Sequence, residues 1–135
     1  MKLKNVRLKT TGKDTVVTTD VNTFAVTIAS EKDRKGICPA ELLMSALGSC
    51  ISLTVSAVAE NKGIQLEKLE VKVEYDVINM RDYDTRFRVN IDFGRDLNEK
   101  EHKMLFGAAR ACNVSKILKG AIDVEYIVDS TSIAS

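Results

Sequence analysis

The segment that most restricts the fold runs from Pro39 to Gly63, where the stretch from Leu42 to Ala59 is almost wholly apolar. It also carries Ser45, Ser49, Ser52, Thr54 and Ser56, so it reads as a helix buried in a soluble domain and not as a membrane span. Pro39 suits the first helical turn, where its missing N–H has no intrahelical partner, and Asn61-Lys62-Gly63 supplies the stop. On a helical wheel Leu43, Ala46, Leu47, Cys50 and Thr54 fall on one stripe, which should face the core or a partner subunit.

Sheet-forming patterns flank this helix. Leu3, Val6 and Leu8 alternate with Lys2, Lys4, Arg7 and Lys9, and a Gly12-Lys13-Asp14 turn leads into a second strand over Thr15–Thr19, which predicts a hairpin. Phe24–Ile28 reads as a third strand, and 30–38 as a charged loop. After the helix, 69–77 and 87–93 alternate strictly and predict two half-buried strands. Asp96-Leu97-Asn98 ahead of Glu99-Lys100-Glu101 marks the N-cap and acidic first turn of a helix reaching about Ala111. Ser115–Lys119 adds a helical turn, and Ile122–Val128 reads as a final strand. The sum is an α+β chain, with antiparallel sheet packed against one central helix.

At 135 residues this is expected to be a single domain spanning 1–135, large enough to bury roughly two-thirds of its unfolded surface. Lys plus Arg number 20 and Asp plus Glu 19, so no extended basic face points to nucleic acid or anionic lipid as a partner. The alternating N-terminus lacks the apolar run and cleavage site of a signal peptide, which predicts a cytoplasmic protein.

Three cysteines in a reducing compartment argue for free thiols. Cys38, Cys50 and Cys112 show no C-x2-C spacing and His102 has no partner histidine, so a metal site is not expected. Nothing resembles the G-x-S-x-G elbow of a serine hydrolase. Cys50 and Cys112 each sit on a helical, small-residue segment with hydroxyls and a cation nearby, as a nucleophile and its resolving partner would. Each is equally readable as a small buried hydrophobe, and the residues alone leave both readings open. Cys50 lies roughly three turns from Pro39, beyond the reach of its own helix dipole, so activation of its thiol calls for a neighbouring cation. Cys38, held extended before Pro39, should be more exposed, and Glu41 is a favourable acidic first-turn residue.

Pro39-Ala40-Glu41-Leu42-Leu43 leading to Ala46-Leu47-Gly48-Ser49-Cys50, with Cys112-Asn113-Val114-Ser115-Lys116 further on, resembles the OsmC/Ohr superfamily over nearly the whole chain. The resemblance implies an intertwined homodimer with active sites at the subunit interface. It also implies peroxidase activity toward organic hydroperoxides with a lipoyl-type dithiol as reductant and without any cofactor. Cys50 would then be the peroxidatic thiol, Cys112 the resolving one, and Arg34 the activating arginine, with Arg7 the alternative.

Three positions depart from the family pattern. Ala40 stands where the family has a glutamate, and Glu41 falls about 180° around the helix from Cys50, whereas Ala40 is about 80° away. The activating arginine has only Arg7 and Arg34 as candidates in the N-terminal part of the chain. Asn113 replaces the proline that usually follows the resolving cysteine. Two rival functions accompany the peroxidase: a non-enzymatic scaffold binding a small hydrophobic ligand in its interface pocket, and a thiol redox sensor.

Overall fold

Alternating apolar and polar residues at the start of the chain pair into antiparallel sheet, as their period of two requires. In the computed structural model, which describes residues 6–11, 14–29 and 35–128, β1 (Val6–Thr11), β2 (Asp14–Thr19) and β3 (Thr23–Val26) lie in the order β1-β2-β3. Leu8 sits opposite Val17, and Val17 opposite Phe24. Residues 2–5 and the expected Gly12-Lys13 turn lie outside the described residues. The third strand stops at Val26, and Ile28 instead forms an isolated parallel bridge with Ile37.

The central helix, α1 (Pro39–Asn61), begins and ends where its sequence signals place it. Cys38 is the extended N-cap before Pro39, and its N–H donates to Glu41 Oε1 at 2.9 Å, so Glu41 does the capping its first-turn position suggests. At the other end Gly63 takes a left-handed φ of 71°. Its N–H donates to the Glu60 carbonyl at 3.1 Å, while Ile64 N–H reaches the Ala59 carbonyl at 2.8 Å. This is a Schellman closure, and the buried Ile64 side chain provides its apolar contact.

By length and composition α1 could cross a bilayer, but here it packs against a hairpin and two further helices. The hairpin is β4 (Glu70–Asn79) and β5 (Asp84–Asp92), with Val71 opposite Ile91, Val73 opposite Val89 and Tyr75 opposite Phe87. Gly94 follows with a φ of 72°, and a Cβ there would collide with the Lys68 carbonyl. The two helices are α2 (Glu99–Arg110) and α3 (Asn113–Lys119). Asn98 caps α2: its Oδ1 accepts from Glu101 N–H at 2.8 Å while Glu101 Oε1 accepts from Asn98 N–H at 3.1 Å.

The core is one cluster: Leu47, Ile51, Val55 and Ala59 of α1, Leu105 and Ala109 of α2, and Ile64, Phe93 and Cys112. The buried stripe of α1 therefore runs through every fourth residue from Leu47, and of the expected stripe only Leu47 is fully buried. Cys50 and Thr54 are half-buried at its margin, and Leu43 and Ala46 are exposed.

One expected element is absent. Residues 121–128 form no strand, and Ile122, Val124, Tyr126 and Val128 are exposed. Alternation encodes a strand only where an edge receives it, and within one chain this segment pairs with none of the described strands.

Leu105 is fully buried where α2 meets α1. Leu105→Ala is expected to cost about 2–5 kcal/mol by chemical denaturation. A loss under about 1 kcal/mol would show that this contact does not anchor the core.

Candidate functional site

The site is assembled at the junction of α1 with the link between α2 and α3. The α2 residues Leu105 and Ala109 belong to the same cluster as the Leu47–Ala59 stripe, and Cys112 continues their buried face just beyond the helix end. Cys112 then caps α3: its backbone is extended (φ −66°, ψ 151°), and its Sγ accepts the Ser115 N–H at 3.4 Å. Cys50, on the margin of the α1 stripe, meets this cap, and the Cys112 thiol donates a hydrogen bond to its sulfur.

The two thiols are polarised in opposite directions. Cys50 is held below the ordinary thiol range chiefly by the Val114 N–H, with further donation from the Cys112 thiol, the Asn113 N–H and the Thr54 hydroxyl; partial burial opposes this. Cys112 is pushed up chiefly by burial; the Ser115 amide opposes this, its position beside the Cys50 sulfur adds to it, and the Val114 amide has the least effect. Deprotonation therefore falls on Cys50, and Cys112 keeps its proton as the donor. Paired groups driven apart in this way can serve different roles.

Sequence reasoning assigned the activation of Cys50 to a cation. Among the described residues the groups that lower it are backbone amides, a thiol and a hydroxyl, and none is a cation. The dipole argument against α1 holds, but α3 presents its own first-turn N–H groups to the sulfur, and these have no intrahelical partners. Cys112-Asn113-Val114-Ser115 carried that signal as an N-cap and first turn; starting the helix at Ser115 concealed it.

The serines near Cys50 do not support the thiolate either. Ser49 donates to the Ala46 carbonyl at 3.2 Å and Ser52 to the Gly48 carbonyl at 2.9 Å, the usual back-bonding of helical serines. Only Thr54 acts on the sulfur, and weakly, because its single O–H is shared with the Cys50 carbonyl 2.8 Å away.

Arg34 lies outside the described residues. Arg7 is exposed on β1, in a cleft with Thr18, Thr19 and Asp20, and is not among the groups acting on either thiol. Cys38 is half-buried, less open than its loop position suggested, and stands at the opposite end of the helical run, roughly 18 Å along the axis from Cys50. The Glu41 carboxylate is engaged at the α1 cap. His102 is exposed, and its ring stacks on Phe106 at 6.1 Å and meets the edge of Phe93 at 5.7 Å. Among the described residues no group of His, Cys, Asp and Glu could hold a metal ion.

Asn113 supplies an N–H that proline could not. It occupies the first position of α3, where proline is tolerated, and Cys112 before it already has the extended backbone that a following proline demands. Asn113→Pro should therefore fold normally yet move the midpoint of Cys50 alkylation against pH upward. An unchanged midpoint would remove the Asn113 amide from the site.

A family model described as OsmC-like protein matches residues 30–127. No curated protein matches the sequence. Among solved structures, an OsmC-like protein from Mycoplasma pneumoniae is similar with a TM-score of 0.67 at 21% identity, over 88% of this chain and 89% of that one. The organic hydroperoxide resistance protein OhrB of Bacillus subtilis gives 0.57 at 20% identity, over 92% and 96%. An organic hydroperoxide resistance protein from Elizabethkingia anophelis gives 0.60 at 17% identity, over 89% and 90%. At these identities the likeness is one of fold.

Proposed function

We propose, for a chain that belongs to the OsmC-like protein family, that it is a thiol-dependent peroxidase acting on organic hydroperoxides, with Cys50 as peroxidatic and Cys112 as resolving cysteine. The observation carrying this reading is the contact between two thiols polarised in opposite directions, one toward thiolate and one toward thiol. The organic hydroperoxide resistance proteins that share the fold support the choice of substrate class.

The Cys50 thiolate attacks the distal oxygen of ROOH. The O–O bond breaks, the alkoxide takes up a proton and leaves as ROH, and Cys50 becomes a sulfenic acid. The Cys112 sulfur then attacks the Cys50 sulfur, water departs with the Cys112 proton, and a disulfide remains. A lipoyl-type dithiol reduces it through a mixed disulfide and is itself oxidised. The chemistry asks for no metal or organic cofactor, and a reducing compartment such as the cytoplasm suits it. Arg34 is proposed as an added cation for the thiolate. Ala40, in the first turn of α1, has no carboxylate to orient such an arginine, so turnover should be slower than in members with the glutamate.

With cumene hydroperoxide and dihydrolipoamide, wild type should turn over continuously, Cys50→Ser should lose roughly three orders of magnitude in rate or more, and Cys112→Ser should stall after one equivalent. A wild type that consumes one equivalent and stops would be a redox sensor, and one that consumes none would end the peroxidase reading. If Arg34→Ala leaves the pH dependence of Cys50 alkylation in place, Arg34 has no part in activation.

The working unit is proposed to be a homodimer. The chain exposes 11502 Å², against about 7,000 Å² expected of a compact monomer of this mass. Leu53 of α1 is 73% exposed, Val6, Leu8 and Phe24 of the three-stranded sheet are more than half exposed, and that sheet's principal contacts are internal. Sedimentation should give a dimer at micromolar concentration; a monomer would refute this.

A further inference from the structure

Besides capping beside the thiols, α3 gives Ser115, Leu118 and Lys119 to the wall of a cavity of about 340 Å³ between itself, α1, β5 and the end of α2. Neither Cys50 nor Cys112 lines it. Its interior is apolar, formed by Phe87, Val89 and Ile91 of β5 and by Leu47 and Ile51 of α1, and no carboxylate is among its lining residues. Two of the lining residues are cationic: Lys119 in the last turn of α3 and Arg110 in the last turn of α2. The Arg110 guanidinium lies 5.9 Å over the ring of Phe106, which also lines the cavity. Both cations are exposed, and among the described residues neither has an acidic partner, since the ion pairs there are Lys72–Glu74 and Arg88–Glu74.

An apolar chamber of this size is at the lower end of small-molecule sites. A neutral apolar guest would leave the two cations without a counter-charge. An anionic head on an apolar chain matches both the walls and the charges, and Arg110 can hold a carboxylate through two parallel N–H donors.

We infer that this cavity is a binding site for a medium-chain fatty acid, its chain between β5 and α1 and its carboxylate between Arg110 and Lys119. The site is separate from the thiol pair and does not depend on the peroxidase reading.

The test is titration of the full chain, labelled for NMR, with decanoate below its micellar concentration and, in parallel, with decanol. Saturable one-site binding is expected, with a dissociation constant on the order of tens of micromolar and shifts concentrated at Ile91, Phe106 and Leu118. Decanol should bind about tenfold more weakly. The double variant Arg110→Gln/Lys119→Gln, at two exposed positions, should bring decanoate down to the level of decanol. Cys50→Ser, which removes peroxidase turnover, should keep the decanoate affinity, so failure of hydroperoxide consumption and failure of binding are separate results.

Equal affinity for the two probes, no effect of the double variant, or shifts that never saturate would overturn the assignment. Shifts centred on residues 121–128, or a change of oligomeric state on titration, would overturn it too, by giving the cavity to the chain's own C-terminal segment or to a second copy.

Discussion

The packing of α2 on the buried stripe of α1 is the contact on which the site depends. Leu105 and Ala109 join Leu47, Ile51, Val55 and Ala59 in one core, and the buried face of α2 runs out at Cys112. That fixes where α3 begins, and α3 begins at the Cys50 sulfur. Neither cysteine is positioned by a loop: one is carried by a 23-residue helix and the other by a helix cap wedged against it. Side chains carried on packed elements of this kind are held more accurately than those on loops.

The polarisation of the pair follows from the same arrangement. Cys112 is almost fully enclosed, 1% exposed, and its sulfur already accepts an amide at the start of α3. Cys50 is more open and receives the remaining donors. Burial disfavours a charged sulfur and N–H donation favours it, so charge goes to the site with more donors and less enclosure. A cation is one way to lower a thiol; the unpaired amides of a helix start are another, and here they act on a residue remote in sequence. The short length of α3 is no obstacle, because the donors that matter are all in its first turn.

Elements whose signal is local were legible in the sequence. The cap and stop of α1, the hairpin from β4 to β5 and the capping box of α2 each rest on a few neighbouring residues, and they fall within a few positions of expectation. Elements whose signal is relational were not. The alternation of 121–128 could name a strand but not the edge that would receive it. The α1 wheel placed Leu43 and Ala46 with Cys50, but which flank is enclosed was decided by α2, and the stripe turned toward Leu47 and Ile51. At the site, the residue types that could do thiol chemistry were visible, whereas the group that lowers Cys50 most is a backbone amide, which has no side chain to betray it.

Exposure on this chain has two distinct characters. Leu53, Val6, Leu8 and Phe24 present apolar side chains of the kind that another apolar surface covers. The cavity beside α3 is different, because two cations without acidic partners, among the described residues, stand in an apolar lining. A protein surface docking there would have to bring a carboxylate with it. The C-terminal segment could do so through Asp123 or Glu125, which alternate with Ile122, Val124 and Tyr126 along it. A strand added at β5 would place either its acidic or its apolar positions toward the cavity, since one period-two face cannot present both. An apolar face inward would leave Arg110 and Lys119 uncompensated, and an acidic face inward would bury carboxylates against Phe87 and Val89. An amphipathic small molecule meets both demands at once, which is why the charge pattern favours it over a strand.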